Sequence, residues 1–401
     1  MAALTVAAAL ARILDRVEPL GPETVALLDA PGRVLASDVA ARLTQPPFTA
    51  SAMDGYAVRA ADVARLPAEL AVTGESAAGS GYHGALQAGE AVRILTGAPL
   101  PPGADAIVIQ ENADRSGPKL VVREGSPDAA HIRPTGGDFR VGETVLRAGE
   151  LLNARSLSLA AAAGHGTLAV RRKPKVAILA TGDELVPPGE LPGRDHIVSS
   201  NPVGLAAMVK AFGGDPVLLG IAPDNLADTV ERLQAASRAD VVVTTGGASV
   251  GDHDLVRPSL ESLGMTLAFW KLAMRPGKPM LYGRLGAQRV LGLPGNPVSA
   301  LITARVFLVP LIAALLGRAE GGGGEVWAEA AVDLPANGVR QHYMRASVER
   351  GEGGRVTVRP FGDQDSSLLM PLMAANALLV RPVAAPAVAK GTRVPVLMID
   401  F

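Results

Sequence analysis

Apolar residues along this chain fall into successive textures, and each predicts a different kind of element. In TVAAALARILDRV, Thr5–Val17, they recur at helical spacing, with Thr5 placed to cap the first turn. From about Gln45 to Arg140 the chain turns to short runs such as AVTGES, EAVRILTG, ADAIVIQE and KLVVRE, divided by Gly and Pro, the pattern of a small all-β domain. The flanking stretches Thr5–Arg42 and Val141–Val170 are more helical or mixed, so the β unit reads as an insertion. After the charged string RRKPK, strand and helix patterns alternate: VAILA from Val176, a helix near Pro202–Phe212, VLLGI from Val217, a helix at Asn225–Ser237, then DVVVTT at Asp240–Thr245. A βαβαβ order predicts a parallel sheet with functional loops at the strand C-termini. The tract Ala300–Leu316 is broken by Arg305 and Pro310 and falls short of the ~20 residues of a membrane span, so it reads as a buried helix kinked at the proline. GGGG at Gly321–Gly324 reads as a linker, and RVTVRP, ALLVRP and RVPVLMI beyond it as strands of a second β domain.

The predicted fold is therefore multi-domain, α+β and α/β. A discontinuous mixed or helical domain (1–44 and 141–172) carries an inserted small β domain (45–140). A central αβ domain with a mostly parallel sheet (173–319) and a C-terminal β domain (325–401) follow. The length of 401 residues agrees with about two to four domains at roughly 100–200 residues each.

Composition narrows the chemistry. With 48% hydrophobic and only 3% aromatic residues, the cores must be filled by aliphatic side chains. A formal charge of -1 and no dense basic tract argue against a nucleic-acid partner. The absence of cysteine excludes disulfides, thiolate catalysis and cysteine-ligated zinc. The N-terminal segment lacks the positive flank of a signal peptide, so a cytoplasmic protein without a membrane partner is expected.

Candidate chemistry gathers in loops. ATGDELV places Asp183 and Glu184 after the first strand of the αβ domain, either as cation ligands or as turn caps. Asp224 in APDN faces the same choice, with N-capping of the next helix the stronger reading. TTGGASVGDHD crowds Gly246, Gly247, Ser249, Asp252 and Asp254 around His253, more glycines and acids than a plain turn needs. RPGKP projects Arg275 and Lys278 from a tight bend; they are either solvated or, with Ser299 and the amides near Pro294, Gly295 and Asn296, an oxyanion pocket. Arg340 and Arg345 flank an alternating run in VRQHYMRA, and Ser366 and Ser367 follow FGDQD. In the inserted domain, Asp54, Thr96, Arg133 and Asp138 sit in glycine-bearing turns that either close locally or meet a ligand. No Ser-His-Asp elbow, HExxH helix, Walker loop or GxGxxG turn is present.

SAMDGYA, ILTGAPLPPGADAIV, IRPTGGD with VGE, ATGDEL, TTGGASVGDHD, RPGKP, LPGNPVSA and SSLLMPLMAANAL occur in one order and span nearly the whole chain. Together they resemble the molybdopterin molybdenumtransferase family, the MoeA type related to the E domain of gephyrin and its plant counterpart. The resemblance implies a homodimer of four-domain protomers with the cleft between them. It also implies insertion of molybdate into adenylylated molybdopterin with release of AMP and Mg²⁺ assistance, downstream of a molybdopterin adenylyltransferase. By motif, Asp54, Glu184, Asp252 and Asp254 take catalytic positions, the last three as Mg²⁺ ligands. Thr96, Arg133, Asp138, Asp224, Gly246, Gly247, Ser249, Pro294, Gly295 and Asn296 take substrate-binding positions. Arg275, Lys278, Ser299, Arg340 or Arg345, and Ser366 take the molybdate pocket. Arg275 stands where the family often has lysine, and QDSSLL lacks the expected glycine-serine-glycine texture, so Ser366 competes with Ser367. Two other functions are compatible with parts of the pattern: an adenylyltransferase-like or nucleotide-processing enzyme, which needs only the central domain, and a non-catalytic scaffold of the gephyrin E type, which would not need the charged loop residues.

Overall fold

The computed structural model describes residues 3–125, 128–247, 255–318, 324–399 and 401. The central domain is built around Lys175–Thr181, whose last six residues are all buried, as a strand covered on both faces requires. Asp215–Ala222 and Val241–Thr245 flank it in parallel, and Gln288–Leu293 extends the parallel set. Leu281–Leu285 and Thr266–Trp270 complete the six-stranded sheet in antiparallel pairing. Val176, Ile178, Val241 and Val243 pack with helix Asn201–Ala211, whereas Ala177, Leu179 and Val242 pack with Leu226–Ala235 and Val256–Ser262. Alternate residues thus feed two cores, and the sheet is mostly parallel as its pattern predicts.

The apolar tract is longer than the sequence suggests. Pro297–Leu315 is one continuous 19-residue helical segment with mean hydropathy 2.2, and 83% of its most apolar stretch is buried inside the protein. Its irregularity is a π-turn, Ala304–Leu308, lying just ahead of Pro310 rather than a kink at the proline itself. Pro310 has no N–H for the preceding turn, and the Val309 amide reaches back five residues to Ala304 O.

Two smaller differences have clear causes. The N-terminal helix spans Val6–Leu14, shorter than Thr5–Val17, with Thr5 Oγ1 accepting from the Ala8 amide. Its C-terminal carbonyls are taken by a distant group: the buried Arg289 guanidinium donates to Ile13, Asp15 and Arg16 O. Helix Leu226–Ala235 is capped by Asn225, not Asp224.

The inserted β region holds a six-stranded sheet that includes Gly55–Val58, Ala68–Ser76, Glu90–Ile94 and Ala106–Ile109. Residues 22–42 and 144–171 share one further core built on Leu35, Leu146, Leu152 and Val170. At the C-terminus, Gln341–Arg350 pairs with both Val356–Pro360 and Ala377–Arg381, which closes the strands into a barrel. Met274–Arg275 of the central domain adds to that barrel, in parallel with Gln341–His342. This pairing places the RPGKP turn on the C-terminal domain.

Candidate active site

All four parallel strands end at one rim, at Thr181, Ala222, Thr245 and Leu293. The loops beyond them, with the Arg275–Pro279 turn and residues of the C-terminal domain, line a cavity of about 780 Å³. It gathers Glu184, Asp224, Gly246, Gly247, Arg275, Lys278, Pro294, Gly295, Asn296, Ser299, Arg340 and Ser366, all of them sequence candidates.

On one side stand the acids. Gly182 has φ +146, and a Cβ there would lie 2.3 Å from Glu184 Oε2, so only glycine lets this carboxylate fold back over its turn. Asp183 is occupied structurally: its Oδ1 accepts from the Asp224 amide at 2.9 Å. With Asn225 capping the helix, the Asp224 side chain is left to the cavity, which corrects its reading as an N-cap. Gly246 and Gly247 both have positive φ, and a Cβ on Gly246 would meet Thr181 O at 2.4 Å. Asn201 ties the neighbouring loops together, donating to Thr245 Oγ1 and Gly295 O.

On the other side stand the cations. Arg275 is fixed by its strand pairing beside His342, and Leu272 N donates to Lys278 O across the bend. Gly277, at φ +107, packs where a Cβ would sit 2.5 Å from Thr303 Oγ1. Burial first, then Arg275, Arg340 and Arg345, pushes the His342 pKa down to about 4, so the imidazole is neutral at pH 7. Ser299 lies in the first turns of helix Pro297–Thr303 rather than in a loop, and is buried at the cavity wall.

The choice between paired candidates follows from contacts. Ser366 lines the cavity and accepts from Asn296 Nδ2 at 2.8 Å, while Ser367 Oγ donates to Asp365 Oδ1 and closes its own turn. Arg340 lines the cavity. Arg345 is 1% exposed and lies behind it, donating to Leu368 O and Asp363 O; burial lowers its pKa against the pull of Asp363 and Asp365. It therefore supports the Ser366 loop instead of lining the pocket. The lining also includes Thr181, Gln364 and Asp365, which sequence reasoning missed.

Asp54 and Thr96 form a second group. The exposed Asp54 carboxylate accepts from Thr96 N at 2.7 Å and Thr96 Oγ1 at 2.8 Å, and these bonds, backbone first, lower its pKa, with Arg93 adding a smaller pull. Gly55 beside it is obligatory, since a Cβ would lie 2.1 Å from Val108 O. Arg133 pairs with Ala50 in a two-residue ladder, and the Asp138 amide donates to Gln45 O; both residues are exposed in the same domain. No described residue of 45–140 lines the cavity. Ser249, Asp252 and Asp254 lie outside the described residues.

Three family models cover the chain in order: the MoeA N-terminal region (domain I and II) over residues 4–164, the "Probable molybdopterin binding domain" over 177–314, and the MoeA C-terminal region (domain IV) over 328–399. A molybdopterin molybdenumtransferase of Nostoc sp. is 36% identical over 395 residues, covering 94% of this chain and 89% of that protein. The chain belongs to the MoeA family. A second MoeA relative, the molybdopterin molybdenumtransferase of Haemophilus influenzae, is 35% identical and covers 94% of each chain. A solved molybdopterin biosynthesis MoeA protein from Pyrococcus horikoshii superposes with a TM-score of 0.85 at 30% identity, covering 99% of this chain and 100% of that one. The MoeA match embraces the inserted, central and C-terminal regions together, where a nucleotide-processing relative would need only the central one.

The donor set also bears on Mg²⁺. Among the described residues no three carboxylate or imidazole groups gather at metal-binding distance. Glu184 and Asp224 share the cavity, and one or two carboxylates completed by substrate phosphate are what Mg²⁺ commonly takes, so the residues fit it.

Proposed function

We propose that this chain inserts molybdate into adenylylated molybdopterin, releasing AMP and forming molybdenum cofactor in a Mg²⁺-dependent reaction. The observation that carries this reading is one cavity lined by three cations, two serine hydroxyls and Asp365 on one side and by Glu184 and Asp224 on the other. Arg275, Lys278 and Arg340 match the double charge of MoO₄²⁻, while Ser299 and Ser366 offer neutral donors to its oxygens. Neutral His342 adds no further charge to that set. Glu184 and Asp224 would hold Mg²⁺, which when bound offsets charge developing on the departing AMP. The protein need supply no covalent nucleophile, because the sulfurs that receive molybdenum belong to the substrate. Gly246 and Gly295 both line the cavity, and a Cβ on Gly295 would make ordinary contact with Gly246 Cα at 3.7 Å.

In this reading the chain works as a cytoplasmic homodimer, and the Asp54–Thr96 face of one protomer closes the cavity of its partner. The absence of any described residue of 45–140 from the lining supports that arrangement. A molybdopterin adenylyltransferase would supply the substrate. Incubating the purified chain with adenylylated molybdopterin, molybdate and Mg²⁺ tests the proposal: molybdenum cofactor and AMP should form together, and a non-catalytic scaffold would form neither.

A further inference from the structure

Among the described residues that line the cavity, Asp365 is the one carboxylate on the side of Arg275, Lys278 and Arg340. Its charge opposes the binding of any anion there, so a purely attractive pocket would omit it. It adjoins Ser366, which lines the same wall. The Ser367 amide and Ser367 Oγ both donate to Asp365 Oδ1 at 2.8 Å, which fixes the carboxylate in its turn. Those two bonds, backbone first, and a smaller pull from Arg345 hold the carboxyl below its usual range. The group is therefore ionised, and an ionised carboxylate only accepts. Its second oxygen, Oδ2, has no hydrogen bond or ion pair among the described residues, and the residue is exposed.

An acceptor in an oxyanion pocket favours an oxygen that carries a proton. The dianion MoO₄²⁻ brings none, but the metal-inserting step makes one. One Mo–O linkage breaks as two Mo–S bonds form, and both protons of the pterin dithiol leave with that oxygen as water; molybdenum keeps its oxidation state. We infer that Asp365 Oδ2 accepts a hydrogen bond from this departing oxygen as it is protonated, which makes Asp365 a catalytic residue of molybdenum insertion. The carboxylate repels the dianion in the ground state and stabilises the oxygen only as it leaves, the kind of differential binding that raises turnover. The inference rests on the proposed function, which brings molybdate to this side of the cavity.

The test compares the whole chain with Asp365→Asn and Asp365→Ala, measuring molybdate binding by calorimetry and cofactor formation against molybdate with adenylylated molybdopterin and Mg²⁺. Asparagine keeps the Oδ1 acceptor that Ser367 uses, so a residue that merely closes its turn is silent to this change. A catalytic carboxylate is not. Asp365→Asn should lower kcat roughly ten- to a hundredfold, the loss of a hydrogen bond to a charged group, with a melting temperature near wild type. Molybdate should bind this variant more tightly, by roughly three- to tenfold, because a like charge is gone. KM for molybdate and kcat then fall together, which a loosened turn does not produce. Asp365→Ala should show the same fall in kcat. Wild-type kcat in Asp365→Asn overturns the assignment, as does a loss confined to Asp365→Ala, a loss that tracks a lowered melting temperature, or molybdate binding to Asp365→Asn that is unchanged or weaker. A wild-type chain that forms no cofactor overturns the proposed function itself, and removes the Asp365 step with it.

Discussion

Asn296 Nδ2 donates to Ser366 Oγ at 2.8 Å, joining the last loop of the central sheet to the C-terminal domain. The Val298 amide donates to Ser366 O at 3.1 Å, so the serine is held by both its side chain and its backbone. The cavity is complete only when the two domains are docked. Asn296→Ala should therefore raise the molybdate concentration needed for half-maximal turnover by about fivefold, the effect of one net hydrogen bond of ~1 kcal/mol. Ser366→Ala should have at least this effect and Ser367→Ala much less, a ranking that molybdate titrations of the three variants will check.

The two arginines of VRQHYMRA should separate cleanly. Arg340→Ala, at an exposed cavity position, should weaken molybdate use with little change in melting temperature. Arg345→Ala leaves the carbonyls of Asp363 and Leu368 without their donor and removes a fully buried side chain. It should destabilise the fold by about 2–4 kcal/mol, visible as a lower denaturant midpoint. Equal stability of the two variants would show that Arg345 does not brace the loop.

Lys278→Ala should reduce apparent molybdate affinity roughly ten- to a hundredfold, corresponding to ~1.5–3 kcal/mol for a lost charge-assisted bond. High molybdate should restore turnover, and AMP binding should be unchanged. Loss of AMP binding in parallel would move Lys278 to the nucleotide.

His342 makes stability depend on pH in a defined window. Its folded pKa is lowered from 6.5 to about 4, so between those values the unfolded chain binds more protons than the folded one. Its contribution is fully present above about pH 6.5 and is lost as pH falls towards 4. His342→Gln should therefore show a shallower fall in melting temperature over this range than wild type. Parallel curves would show that the imidazole is not held neutral by burial and the surrounding arginines.

Much of this site is legible in the chain because glycines and charges concentrate where apolar strand runs stop, and in a parallel sheet those stops share one rim. What escaped reading depends on long-range register. Asp224 and Asn225 are equally suited to capping, and the bond that Asn225 Oδ1 accepts from the Asp228 amide separates their roles. Arg340 and Arg345 look alike in sequence until one precedes a barrel strand and the other points behind the loop. The early end of the first helix is stabilised by Arg289, more than 270 residues away. Thr181 gives no signal of its own in TGDE, since its place in the lining depends on how the Gly246–Gly247 backbone packs against it.

The proposed dimer with shared clefts predicts complementation. Asp54→Ala and Glu184→Ala chains should each be inactive alone, yet mixed dimers should regain activity, because one of their two clefts keeps both carboxylates. Confirmed heterodimers without recovered activity would place both residues in one protomer's site.

The most direct measurement is the coupling of AMP release to molybdenum insertion. Purified chain with adenylylated molybdopterin and Mg²⁺ should release AMP slowly without molybdate, then release it in equal amounts with cofactor formed as molybdate is added. AMP release that ignores molybdate, or molybdenum insertion into the pterin without AMP release, would contradict a cavity in which the cationic and acidic sides act on one substrate.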